Sequence, residues 1–328
     1  MIVENRTVSQ PRSPRDYLLL YLRGFLMGSA DVVPGVSGGT VAFIVGIYEA
    51  LIDAITAVNA RFVRRLLTLQ WRAAFADFPW QFLLALGLGL GTAILSMAHV
   101  LTWALANYET YVWGFFFGLI VASIVLVLRR VRRWTLANVA VLIGFTVAMV
   151  LLVGVTPHEM PHTPVFLFLS GALAICAMIL PGISGAFILV LLGQYHYVLE
   201  AVVNQDWLTL ILVGLGAVVG LLAFARVLKW LFGNYHDLTV AAMIGLMIGS
   251  LRKIWPWKVT TQVEIEPDGS VVPLVQSNVF PDTLSPEVLV VMGLAVLGLA
   301  LVVGLEALAE RNQTRPSPPP VVAEAVES

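Results

Sequence analysis

The sequence predicts an all-α polytopic membrane protein made of two inverted-topology repeats, with about six full spans and two re-entrant helical hairpins. Three observations carry this prediction. Apolar residues make up 59% of the 328-residue chain and charged residues 12%, against roughly 45–50% and about 25% in soluble domains. The apolar residues fall into runs close to the ~20 residues that a helix needs to cross a bilayer. A Pro-Gly-x-Ser-Gly sequence occurs twice, each time inside a long apolar stretch, where proline ends a helix and glycine frees the backbone.

In chain order, residues 1–16 are polar, lack the pattern of a cleavable signal and are expected to form a cytoplasmic segment. Repeat 1 covers 17–134. It holds a re-entrant hairpin at 17–58, a basic cytoplasmic segment at 59–79 and spans at 80–104 and 112–128. A connecting span follows at 137–155. Repeat 2 covers 165–254, with a re-entrant hairpin at 165–203 and spans at 208–228 and 238–251. Residues 259–286 form an external loop in which VEIEPDGSVV alternates around a Pro-Asp-Gly turn, the pattern of a small β-hairpin. The last span is 288–305, and 306–328, with its PSPPP run, is expected to be a disordered cytoplasmic tail.

Orientation follows from the basic residues, because short loops rich in Lys and Arg stay cytoplasmic. With both termini inside, Arg6, Arg12, Arg15, Arg61, Arg64, Arg65, Arg72, Arg129, Arg130, Arg132, Arg133, Lys229, Arg311 and Arg315 are cytoplasmic, and only Arg252, Lys253 and Lys258 are external. The net charge of −1 says nothing further, and the single cysteine, Cys176, excludes an intrachain disulfide.

The repeats are visible as internal identities. Gly24, Leu26, Ala30, Pro34, Gly35, Ser37, Gly38, Gly46, Tyr48 and Ala54 recur 147 positions later, and Trp80, Gly87, Gly89, Trp103, Asn107, Tyr108, Gly118 and Ser123 recur 127 positions later. The shift in offset matches the basic stretch 61–79, which the second copy lacks. Three full spans separate the hairpins. The second therefore enters from the opposite face, the arrangement in which a site forms near the bilayer midplane.

Charge spacing argues that the hairpins stop half-way. Arg23, Glu49 and Asp53 lie roughly 14–20 Å from the first tip at ~1.5 Å per residue, close to half of a ~30 Å hydrocarbon core. A tip at the midplane brings these charges together at the cytoplasmic interface, where they can pair. Full spanning would strand them inside the bilayer.

The tips read Asp31-Val-Val-Pro34-Gly35-Val-Ser37-Gly38-Gly39-Thr40 and Met178-Ile-Leu-Pro181-Gly182-Ile-Ser184-Gly185-Ala186-Phe187. Irregular backbone at membrane depth survives only where protein or a wet cavity satisfies it. Such loops offer backbone N–H groups and a hydroxyl, the elements of an anion receptor. Pro34, Gly35, Ser37, Gly38, Gly39, Thr40, Pro181, Gly182, Ser184 and Gly185 are thus the candidate phosphate-binding residues; the alternative is a plain helix kink. Asp31, present only in the first copy, is read three ways: as a cap for loop N–H groups, a proton site or an arginine partner. Arg23, Glu49, Asp53, His99 and Arg226 are further candidates for a charge or proton role, with snorkelling the alternative for Arg226. Gly87, Gly89, Gly91, Gly214, Gly216 and Gly220 suit close helix packing. The tryptophans at span ends suit interfacial anchoring. No metal, cofactor or nucleic acid is called for.

GFLMGSADVVPGVSGGTVAFIVGIYEALIDAI and its echo LPGISGAFILVLLGQY resemble the bacterial polyprenyl-phosphate transporter family, of the PopT type, over about 17–305. The resemblance implies a multi-pass protein of the bacterial cytoplasmic membrane that moves undecaprenyl phosphate from the outer to the inner leaflet. The partners implied are a polyprenyl-phosphate lipid and the bilayer, with no enzymatic activity. Ala186 and Phe187 depart from the Gly-Thr of the first tip. Two rivals remain. Undecaprenyl pyrophosphate phosphatases have a related Pro-Gly-x-Ser-Arg-Ser-Gly sequence, but the arginine position is Gly38 or Gly185 here, which removes a cation from the developing charge. A carrier of a small soluble anion is the other.

Overall fold

Helix α1 (Pro14–Asp31) starts where local chemistry favours a start. The Ser13 hydroxyl accepts from the Asp16 N–H at 3.2 Å, the Asp16 carboxylate accepts from the Ser13 N–H at 3.0 Å, and Pro14 fills the first helical position. In the computed structural model, residues 13–32, 36–157, 160–265, 271–281 and 283–313 are described. After α1 come α2 (Gly38–Ile44), α3 (Tyr48–Thr56), α4 (Ala60–Leu67), α5 (Trp71–Ala76), α6 (Trp80–Leu128) and α7 (Leu136–Val153). The second half repeats the order with α8 (Pro164–Ile179), α9 (Gly185–Leu191), α10 (Tyr195–Val203) and α11 (Trp207–Ser250). Strands β1 (Lys258–Ile265) and β2 (Val271–Asn278) and helix α12 (Pro286–Gln313) close the chain. The described residues are mostly helical, and five helices are long and apolar enough to cross a membrane.

The outgoing arm of each hairpin, expected as one helix, is two. The axes of α2 and α3 differ by 116° and those of α9 and α10 by 108°. The cause is a helix stop at Gly46 (φ +73°) and Gly193 (φ +65°). Ile47 N–H donates to Ala42 O and Gly46 N–H to Phe43 O, and Gln194 with Gly193 repeats the pattern on Leu189 and Val190. This double bond pattern with a left-handed glycine is a Schellman stop.

Helices α6 and α11, 49 and 44 residues long, are each interrupted at one residue, Tyr108 (φ −140°) and Tyr235 (φ −136°). For α11 the interruption is a reversal. The Cys176 thiol reaches the Gly220 carbonyl, and Gly182 packs on Met247. A straight helix would hold Gly220 and Met247 about 40 Å apart, whereas the chain from Cys176 to Gly182 spans at most about 22 Å. The segment therefore doubles back at Tyr235. At both bends the same side chains brace the turn: Asn107 and Asn234 donate to Trp103 O and Trp230 O at 2.8 Å, and the Trp103–Tyr108 and Trp230–Tyr235 rings meet edge-on.

Helix contacts recur at the sequence offsets. Gly24 lies against Leu86 and Gly171 against Val213; Gly89 lies against Tyr21 and Gly216 against Phe168. At each of these four glycines a Cβ would strike a backbone carbonyl, so the helix pairs touch main chain to main chain. Gly87, Gly91 and Gly214, expected to serve the same purpose, face open space. The connecting span also has a counterpart. Gly118 of α6 packs on Ala295 of α12, while Gly245 of α11, 127 positions later, packs on Leu142 of α7. Each half thus sends its last helix to cover the long helix of the other half.

The basic segment 59–79 folds into α4 and α5, joined by an Arg65–Asp77 ion pair at 2.8 Å and by stacking of Phe62 on Phe78. The expected β-hairpin is present as an antiparallel β1–β2 pair; its Pro-Asp-Gly turn lies outside the described residues. Residues 306–313, expected to be part of a disordered tail, continue α12 to Gln313. EALAERNQ is rich in helix formers, which carries the helix past its last apolar residue.

Candidate functional site

The two tips meet. Ser37, at the N-cap of α2, accepts from Gly39 N–H at 3.1 Å through its hydroxyl oxygen, which lies 3.0 Å from Met178 O and 3.1 Å from Leu180 O in the second tip. Thr40 Oγ1 accepts from Gly182 N–H at 3.0 Å. Tyr48 Oη donates to Ile179 O at 3.1 Å, the same carbonyl against which Gly39 packs without room for a Cβ. Ser37 and Thr40 are fully buried. Local sequence explains the second turn: Pro181 and Gly182 follow the end of α8 at Ile179, and Gly182 adopts φ +91°, where an L side chain is strained.

Asp31 caps a loop N–H, one of the three roles open to it. Its Oδ1 accepts from Gly38 N–H at 2.6 Å, and its carboxylate fills the space where a Cβ on Gly38 would go. The N–H groups of Gly38, Gly39 and Gly182 thus each have a protein acceptor: Asp31, Ser37 and Thr40. The tips grip one another in the arrangement seen here. They are chemically unequal, because Ser37 caps α2 with its side chain whereas Ser184, also buried, does not cap α9. Pro34 and Gly35 lie outside the described residues. Pro181 and Gly185 are buried at the second tip, with Gly185 close to Ala174 O.

The remaining charged candidates are elsewhere. Asp53 pairs with Lys229 at 2.7 Å, and Glu49 lies 3.9 Å from the His236 ring. Both partners come from α11, where the sequence spacing pointed to pairing among Arg23, Glu49 and Asp53. Arg23 is half-buried on α1, and His99 is exposed on α6. Arg226 donates to Val58 O and Leu222 O, both at 2.6 Å, tying α11 to the chain leaving α3. None of these five is hydrogen-bonded to a tip among the described residues.

Sequence reasoning missed two residues that shape the site. Tyr48 joins the first hairpin to the second tip, and its recurrence as Tyr195 at the 147-residue offset was the available signal. Arg130, counted only as a cytoplasmic charge, donates to Phe43 O at 3.0 Å and lies 5.1 Å from the Phe43 ring centroid. It thereby holds the carbonyl end of α2, which a cation favours. Phe43, Tyr48 and Phe232 pack together beside it, with Phe43–Tyr48 and Tyr48–Phe232 centroids 4.8 and 5.8 Å apart. A separate, almost wholly apolar groove of about 330 Å³ runs between α1 and α6, lined by Tyr17, Tyr21, Trp80, Leu84 and Leu88 among others.

No solved structure matches the chain. A polyprenyl-phosphate transporter of Vibrio cholerae serotype O1 is 40% identical over 307 residues, covering 90% of this chain and 98% of that protein. A polyprenyl-phosphate transporter of Staphylococcus aureus is 29% identical over 253 residues, covering 72% of this chain and 85% of that protein. The model of the VCA0040-like family, described as undecaprenyl phosphate translocase-like, matches residues 27–272, a range that takes in both tips and β1. The chain therefore belongs to the undecaprenyl phosphate translocase-like family.

Proposed function

We propose that the protein is a transporter of polyprenyl phosphate that moves undecaprenyl phosphate from the outer to the inner leaflet of a bacterial cytoplasmic membrane, without chemical change to the lipid. The observation that carries the reading is the direct joint between the tips, Thr40 to Gly182 and Ser37 to Met178 and Leu180. In a translocase this joint is the barrier between the two faces. Parting it frees backbone N–H groups and two hydroxyls, which a phosphate can then engage. Phosphate oxygens at Gly38 N–H replace the Asp31 carboxylate oxygen that sits there now. The names of the relatives support the substrate, and the apolar groove on α1 and α6 offers a surface for an isoprenoid chain.

Re-entry of both hairpins is part of the proposal. Helices of 7 and 9 residues reach only about 10 and 14 Å, short of a ~30 Å core, and bends above 100° prevent either pair from crossing straight. The arginines of α4, α5 and the α6–α7 turn support cytoplasmic termini, and the Tyr108 bend then faces outward. The halves act as inverted repeats that rock about the joint. Neither tip carries the arginine of the phosphatase motif, which favours translocation over hydrolysis.

Liposomes containing the purified protein should move labelled polyprenyl phosphate between leaflets. Ser37→Leu or Gly38→Leu, which leave no room for the opposing carbonyls or for Asp31, should abolish the movement. Full transport in both variants refutes the tips as the headgroup site. Release of inorganic phosphate from a pyrophosphate lipid would instead make the protein an enzyme, and uptake of soluble phosphate without lipid movement would make it a soluble-anion carrier.

A further inference from the structure

Away from the tips, three cations converge on a small cavity. Arg252, Lys253 and Lys258, with Gln276, Ser277 and Asn278 of β2 and the end of α7 at 153–156, enclose about 130 Å³, room for a few waters at about 30 Å³ each and hence for a phosphoryl group. The Lys258 ammonium is buried, has no hydrogen-bond partner among the described residues and lies 4.1 Å from the Trp113 ring centroid. Lys253 lies 5.6 Å from the Phe187 ring centroid, so it stands over the helix that begins at the second tip. The only carboxylate acting on both lysines, among the described residues, is Glu109, whose Oε1 accepts from Trp113 Nε1 at 3.1 Å. Arg252 is held in place by its bond to Val150 O at 2.9 Å, and its own carbonyl accepts from Asn278 at 2.8 Å.

Buried cations persist when they are paired. Here two half-buried lysines, with the exposed Arg252 beside them, face one carboxylate, and among the described residues the Lys258 ammonium is left without an acceptor. Burial and the neighbouring Lys253 press Lys258 down to about 7, with Glu109 opposing. A monoanion would leave positive charge uncompensated; a dianion with several acceptor oxygens satisfies it, with the neutral donors of Ser277 and Asn278 at the rim.

We propose that Arg252, Lys253 and Lys258 form a second anion site, distinct from the tips, that binds a phosphate monoester group. That the monoester is a lipid headgroup on its way to the second tip rests on the transport reading above; the anion site itself does not.

The test uses full-length protein in nanodiscs and two probes, inorganic phosphate and geranyl phosphate. Lys253→Met/Lys258→Met should weaken binding by about tenfold or more, as expected for loss of charge-assisted bonds. Glu109→Gln, which keeps the acceptor for Trp113 but removes the competing charge, should tighten it. Geranyl phosphate competing with inorganic phosphate for the site identifies a headgroup site; inorganic phosphate bound without competition identifies a site for the free ion. Unchanged affinity for both probes in the double variant, or weaker binding in Glu109→Gln, overturns the proposal. Because Glu109→Gln and the lysine pair move affinity in opposite directions, a misfolded variant cannot imitate the expected pattern. Binding that follows it while leaflet exchange is absent leaves the anion site standing and removes the transport reading alone.

Discussion

The joint between the tips can be weakened by one atom. Thr40→Val keeps shape and burial but removes the acceptor that Gly182 N–H meets at 3.0 Å. A buried donor left without a partner costs about 1–3 kcal/mol, and every 1.4 kcal/mol is tenfold, so the open population should rise about five- to hundredfold. Val36, fully buried beside the joint, is the reporter. In a Cys176→Ser background, Val36→Cys should react with a permeant thiol reagent at a rate proportional to the open population. Adding Thr40→Val should speed the reaction by that factor, and Thr40→Ser, which keeps the oxygen, should hardly change it. Equal rates in the valine and parent proteins would refute the view that this hydrogen bond holds the tips together.

Gly24→Ala and Gly171→Ala should each destabilise the protein by about 1–3 kcal/mol through overpacking, since the new methyl meets a carbonyl of the neighbouring helix. Gly87→Ala and Gly214→Ala, with nothing within 4 Å, should be neutral or stabilising by up to about 1 kcal/mol; thermal unfolding in detergent separates the two pairs. Tyr48→Phe should cost about 0.5–1.5 kcal/mol by the same measurement, because it removes the donor to Ile179 O. An unfolded lysine keeps its proton to about pH 10.4, while folded Lys258 gives it up near 7. The folded chain thus holds fewer protons in that window, and stability should rise from pH 7 towards pH 10. A bound anion favours the charged form, so phosphate binding at pH 8 should take up protons, visible with an indicator dye in weak buffer; proton release would contradict the assignment.

Much of the architecture was legible because membrane spans announce themselves by composition, and because the tips carry proline and glycine at positions that only a break explains. The β-hairpin was legible from alternation around Pro-Asp-Gly. The stops at Gly46 and Gly193 were not: each glycine sits in an apolar run that reads as continuous helix, and only the left-handed backbone exposes it. Pairing was hidden for a different reason. Asp53 with Lys229 and Lys258 with Trp113 join residues more than a hundred positions apart, whereas depth counted from the tip along each arm of the hairpin pointed Asp53 towards Arg23 instead. At the tips, which acceptor each N–H meets depends on the second hairpin, which no local pattern encodes.

The reciprocal placement of α7 and α12 has a consequence for assembly. Neither half is a finished object: cut after residue 157, the leading fragment would display the flank of α6 on which Ala295 belongs, and it would carry α7 with nothing to lean on. Two polypeptides so divided should fold only when made together, each lending the other a stave. The same clasp ties the halves together, since any tilt that carried one away would have to drag along a helix rooted in its neighbour.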